Sequence, residues 1–126
     1  MKLATWNVNS LKVRLPYVLD WLAAHPVDVL CLQETKLTDE KYPQAALLEA
    51  GYHSVFAGQP TYNGVAILSR VATVGQAELV SIGNPHFEDP QKRLLCARVG
   101  GLQVIDAYFP NGQALDSDKF VYKLAW

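Results

Sequence analysis

Two apolar runs and the segment between them restrict the fold more than anything else in the chain. Lys2 to Val8 (KLATWNV) reads as a strand. Val27 to Leu32 reads as another, and its Val29, Leu30, Cys31 and Leu32 are apolar without alternation. Unbroken apolar character marks a strand covered on both faces. Between the two, Leu11, Leu15, Val18, Leu19 and Leu22 recur at helical spacing, with Pro16 near the helix start and His25-Pro26 as its stop. Asn9 and Ser10 are placed to cap that helix. A strand, a helix and a second buried strand make a parallel crossover unit. Such units are right-handed almost without exception, so the two strands are neighbours or near neighbours in one sheet.

The rest of the chain mixes short strands and short helices. After the polar loop TKLTDEKYP, a helix is expected from Gln44 to Ala50, ending at Gly51. Strands are expected at Tyr52 to Ala57 and Val65 to Ser69, joined by the turn-rich GQPTYNG, with a weaker strand over Val71 to Ser81. Ile82 to Gln91 is a loop by composition. Arg93 to Val99 and Leu102 to Phe109 flank Gly100-Gly101, which predicts a hairpin. A helical tail is expected from Asp116 to Trp126, and its apolar pattern is still running at the last residue, which reads as a chain cut from something longer. With 126 residues, this is one domain or part of one. There is no repeat and no linker.

Half the residues are apolar, 18% are charged and the net charge is −1, so no global field draws the chain to nucleic acid or anionic lipid. The two cysteines, Cys31 and Cys96, sit inside apolar strand-like runs. They read as buried thiols of a reducing compartment, and the expected location is cytoplasmic, with no membrane partner.

Polar residues at the strand ends raise the functional question. In open α/β sheets, ligands gather beyond the carboxyl ends of parallel strands. Asn7 ends the first strand and Glu34 the second, so both can reach one crevice. An amide oxygen and a carboxylate are hard donors that suit Mg²⁺, which takes one or two carboxylates and keeps its waters. The same residues also fit a turn or helix cap and a solvated strand end. A second cluster, AYFPNGQ, places Tyr108, Asn111 and Gln113 beyond another strand. That is either a proline turn or a phenol and amides aimed at a phosphate. Tyr62, Asn63 and Gly64 form a third exposed loop, and Arg93 beside Lys92 is either a solvated charge or a phosphate contact. His25, His53 and His86 form no catalytic arrangement with a nucleophile and an acid.

TWNVNSLK, LQETK, YNGVAILSR and AYFPNG, in that order, resemble the exodeoxyribonuclease III family of the endonuclease/exonuclease/phosphatase superfamily. The resemblance runs over the whole chain but matches about the first half of a typical member. It implies a truncated part of a four-layered α/β sandwich with mixed β-sheets, residues 1–126 being the amino-terminal portion of a single domain. It implies a DNA repair hydrolase that is both nuclease types: an endonuclease at abasic sites and a 3′→5′ exonuclease on duplex DNA. The implied cofactor is Mg²⁺, with Mn²⁺ possible, bound at Asn7 and Glu34. The implied catalytic residue is Tyr108, near the scissile phosphate. Asn9, Tyr62, Arg93 and Asn111 match positions facing the DNA. The implied partner is double-stranded DNA with abasic sites or 3′ ends, and the full-length protein is expected to be a monomer. The later family motifs, an Asp-x-Asn pair, a further Asp and a Ser-Asp-His, have no match here, so the fragment alone is expected to be inactive. Two rival readings are a non-catalytic fragment that binds DNA or a partner, and a phosphatase of the same superfamily.

Overall fold

The structure is a computed structural model and describes residues 1–113 and 117–126. The crossover unit forms as its apolar pattern requires. Strand β1 (Leu3–Asn7) and strand β2 (Val29–Gln33) lie parallel and adjacent, with Asn7 opposite Gln33 in the register. Helix α1 (Leu11–Ala24) connects them and buries Leu11, Val18 and Leu22. His25 closes it through a backbone bond to the Trp21 carbonyl. The expected cap at its start does not form. Ser10 has φ 87° and makes no side-chain cap bond, and the Asn9 amide oxygen instead accepts the Lys36 ammonium at 2.6 Å.

A short helix α2 (Gln44–Glu49) leads into β3 (Tyr52–Ala57), which pairs antiparallel with β4 (Val65–Arg70). Strand β4 in turn pairs antiparallel with β2, giving a mixed sheet in the order β1-β2-β4-β3. The strand expected over Val71 to Ser81 is corrected. Val71–Val74 form a single helical turn, α3, and a strand, β5, occupies Glu78–Ile82. The Val71 N–H is held by the Gly51 carbonyl and the Gly75 N–H by the Val71 carbonyl, so tertiary bonding overrides the β-branched composition. Strands β5, β6 (Leu94–Val99) and β7 (Leu102–Ala107) form a separate antiparallel sheet, with the hairpin at Gly100-Gly101 as expected. Helix α4 (Asp118–Ala125) starts at Ser117, whose hydroxyl accepts the Phe120 N–H. The expected start at Asp116 lies outside the described residues.

Alternation along β2 sorts the core into two parts. Leu30 and Leu32 pack on α1 with Val18 and Leu22. Val29 and Cys31 face the other way, toward Leu95, Ala97, Val99 and Val104 of the second sheet. Among the described residues the chain is therefore helices, sheet, sheet, the two sheets packing face to face. The Cys31 thiol lies in this inter-sheet layer, where burial and then the nearby Asp106 charge push its pKa up to about 12. Cys96 is also buried and free, and its sulfur accepts the Gln103 amide at 3.2 Å. No helix among the described residues is long and apolar enough to cross a membrane.

Candidate active site

Backbone strain marks the place where the strand ends converge. Outside glycine, positive φ occurs at Asn9 (44°), Ser10 (87°), Glu34 (57°), Lys36 (57°), Thr61 (73°), Asn63 (58°) and Gln113 (61°) among the described residues. These positions fall in the four loops that follow β1, β2, β3 and β7. Such conformations cost of order 1–3 kcal/mol each and persist only where the surroundings enforce them. Here the enforcement is visible. The carbonyls of Gln33, Glu34 and Thr35 accept the N–H groups of Val8, Ser10 and Leu11 at 3.0, 2.8 and 3.0 Å. On the other side, the Thr35 and Lys36 N–H groups donate to the carbonyls of Gly64 and Asn63 at 3.2 and 2.9 Å. The segment carrying Glu34 is thus stitched to both of its neighbours.

That stitching aims Glu34 into an open cleft of about 690 Å³ between the ends of the two sheets. Glu34, Tyr62, Arg93, Tyr108 and Asn111 all line it. Glu34 and Tyr108 come from different sheets, yet they interact. Burial first, and then the Glu34 charge, push the Tyr108 phenol above its ordinary pKa, while Arg93 acts in the opposite direction. The phenol is therefore a neutral hydrogen-bond donor near pH 7.

Arg93 is fixed rather than free. Its guanidinium lies 4.7 Å from the Tyr108 ring centroid and 5.4 Å from that of Tyr122 on α4. Its Nε donates to Gln91 Oε1 at 2.8 Å and its Nη1 to the Tyr108 carbonyl at 3.3 Å. The Tyr122 hydroxyl donates to the Asp89 carboxylate. Tyr62 is 68% exposed at the rim. Its neighbour Asn63 is buried and donates to Gln59 Oε1 and Gln91 Oε1 at 3.2 and 3.4 Å, so the loop has a fixed base. Asn111 uses its side-chain oxygen to accept the Gln113 N–H at 2.9 Å, an Asx turn in place of the expected proline turn.

Asn7 and Asn9 lie beside the cleft rather than in its lining. Asn7 is exposed at the β1 end, and its Oδ1 accepts the Asn9 N–H at 3.1 Å. The Lys36 ammonium rests against Asn9 Oδ1 and stands 3.9 Å from Glu34 Oε1. These oxygens already draw a cation, which is what a hard divalent ion would find there. No cluster of three or more His, Cys, Asp or Glu capable of holding a metal occurs among the described residues. The carboxylate of Glu34 and the amide oxygen of Asn7 are hard donors of the type that divalent cations with few protein ligands take.

Gln33 and Asp106, which did not stand out as site residues, join the two sheets just behind the cleft. The Gln33 Nε2 donates to Asp106 Oδ1 at 2.7 Å and to Thr5 Oγ1 at 2.8 Å. Period-two alternation carried a signal for both. Asp106 shares a strand face with buried Val104, and Gln33 shares one with Cys31. The cleft contribution of Tyr122, and of the Asp89 carboxylate that accepts its hydroxyl, had no comparable local signal.

A profile of the Endonuclease/Exonuclease/phosphatase family matches residues 4–117. Exodeoxyribonuclease III of Haemophilus influenzae is 34% identical over 119 residues, which is 90% of this chain and 43% of that protein. A 3′-5′ exonuclease from Neisseria meningitidis superposes with TM-score 0.94 at 53% identity over 100% of this chain and 48% of that one. An AP endonuclease from Archaeoglobus fulgidus superposes with TM-score 0.87 at 41% identity, with the same coverage of 100% and 48%. The chain thus spans less than half the length of these relatives.

Proposed function

Because the chain belongs to the endonuclease/exonuclease/phosphatase family, we propose that it supplies the metal-binding and phosphate-facing side of a DNA repair nuclease of exodeoxyribonuclease III type. The reaction is hydrolysis of phosphodiester bonds at abasic sites and stepwise removal of nucleotides from 3′ ends of duplex DNA. The observation that carries this reading is the meeting of Glu34 and Tyr108, from two different sheets, in one cleft. Glu34 and Asn7 would hold the divalent ion, Mg²⁺ or Mn²⁺. When bound, such an ion neutralises phosphate charge and polarises the phosphoryl oxygen.

The chain's own groups do the rest of what it contributes. The neutral Tyr108 phenol donates to a non-bridging phosphate oxygen as charge builds there, a role worth about a hundred- to a thousandfold when a preorganised donor is removed. Arg93 holds that phenol by stacking and adds positive charge to the cleft wall. Tyr62 and Asn111 are the rim positions for the DNA backbone, and Asn9 sets the Lys36 ammonium beside Glu34. The free, buried thiols Cys31 and Cys96 favour a reducing, cytoplasmic setting. A monomer is expected over the full length of the relatives.

The test uses a polypeptide carrying these residues over the length of its relatives, with an abasic duplex and Mg²⁺. Glu34→Gln should abolish incision, and Tyr108→Phe should slow it about a hundred- to a thousandfold. Undiminished incision by Glu34→Gln, or in excess chelator, would overturn the assignment.

A further inference from the structure

The Thr5–Gln33–Asp106 hydrogen bonds have a position that stability alone does not explain. Asp106 is 2% exposed, and its carboxylate meets the Gln33 amide and the Ala66 backbone. A buried carboxylate is a costly element, and an apolar residue beside Val104 would serve the inter-sheet layer better. What the carboxylate does make is the 2.7 Å bond to Gln33 across the gap between the sheets. Each member of this trio stands within two positions of a candidate site residue. Thr5 is two positions before Asn7 on β1. Gln33 directly precedes Glu34 and pairs with Asn7 in the register. Asp106 is two positions before Tyr108 on the strand that delivers it.

Resting on the nuclease reading above, we propose that Gln33 and Asp106 are positioning residues for its reaction: their bond across the sheets sets the separation between the Glu34 and Asn7 tips and the Tyr108 phenol. Gln33 is suited to the task because one amide nitrogen carries two protons and donates both, one to each sheet's partner. The pair acts as a spacer between the β2 and β7 ends, a separation that main-chain packing would fix less tightly. Supporting groups behind metal ligands typically govern affinity or activity by about ten- to a hundredfold.

Three variants in the same full-length polypeptide test this. Gln33→Met keeps the length of the side chain and removes both donors. It should lower kcat by about ten- to a hundredfold with little change in KM. The exchange pair Gln33→Glu with Asp106→Asn reverses the bond: the amide introduced on β7 donates to the carboxylate introduced on β2, and the Thr5 hydroxyl turns to donate as well. That pair should recover most of the kcat lost by Gln33→Glu alone, in which two carboxylates face each other. A readout without metal or substrate completes the test: the nuclear magnetic resonance ring shifts of carbon-13 labelled tyrosine at neutral pH. In Gln33→Met the Tyr108 ring signal should move, because the β2 and β7 ends change their separation and the ring its place against Arg93. An exchange pair no more active than Gln33→Glu, or an unmoved Tyr108 ring signal in Gln33→Met, would overturn the proposal. Glu34→Gln, run in parallel, separates the two failures. If it kills incision while the exchange gives nothing, only the positioning role falls; if it stays active, the nuclease assignment falls first.

Discussion

Glu34 occupies a backbone conformation that glycine would hold more comfortably, and that makes a sharp prediction. Its φ of 57° lies in the left-handed region, which costs a residue with a Cβ about 1–2 kcal/mol. Glycine escapes this cost but releases more conformational freedom on unfolding, an opposing effect of about 0.4–1 kcal/mol. Both Glu34→Gly and Glu34→Ala delete the carboxylate, its 3.9 Å approach to Lys36 and its influence on Tyr108. Their difference isolates the backbone. Glu34→Gly should therefore be more stable than Glu34→Ala by about 0.5–1 kcal/mol. For a chain of this length that is about 2–5 °C in melting temperature. Neither variant should support metal-dependent cleavage. A control with the opposite sign sits in α1, where exposed Asp20 has helical backbone. There Asp20→Gly should be less stable than Asp20→Ala by about 1 kcal/mol. Circular dichroism melts and urea titrations of the four variants give the comparison. If Glu34→Ala equals or exceeds Glu34→Gly while the Asp20 pair behaves as stated, the backbone bonds around residues 33–36 do not impose the strain described above.

Gly64 has φ 95°, and a Cβ there would overlap the Thr35 hydroxyl, so Gly64→Ala should cost about 2 kcal/mol or more and displace Lys36; unchanged urea stability would contradict this. Burial raises the Asp106 carboxyl to about 7, against an ordinary value near 3.8, with the Gln33 bond and the Ala66 backbone opposing. The folded state then binds more protons than the unfolded one between about pH 4 and 7, so this group's contribution to stability is full below pH 4 and is lost as pH rises through 7. Cys31, the other titratable group facing it, stays a neutral thiol throughout. Asp106→Asn should gain about 2–3 kcal/mol on the wild type between pH 5 and pH 8, whereas parallel stability curves would place the carboxyl in water. Arg93→Lys keeps the charge but loses the planar stack on Tyr108 and Tyr122, so hydrogen exchange in α4 should quicken by about tenfold. Identical exchange in the two proteins would mean that Arg93 does not anchor the helix.

The crossover unit was legible because its signals agreed: a strand near the amino end, a helical leucine period, a His-Pro stop and an unbroken apolar second strand. The parallel pairing of Asn7 with Gln33 follows from that unit and brings the β1 and β2 ends together, as expected. The region after β4 was misread because Val71, Thr73 and Val74 are strand formers by composition, while the bond from Val71 to Gly51 is visible only in three dimensions. Glu34 and Tyr108 could be singled out as strand-end polar residues. Their approach to one another could not, since it depends on how two sheets stack. Asn9 and Ser10 looked like caps because a cap and a strained loop use the same small polar residues. Asp106 hid inside a β-rich run, where only its shared face with Val104 betrayed it.

Cys31 and Cys96 sit behind different barriers, which turns the pair into a built-in clock. Cys31 is 5% exposed in the inter-sheet layer and lines a second cavity of about 600 Å³ with Thr5, Gln33 and Asp106, so its labelling reports how that cavity opens. Cys96 needs only the displacement of Gln103 above it. Timed labelling followed by mass spectrometry would read the two opening rates in one sample.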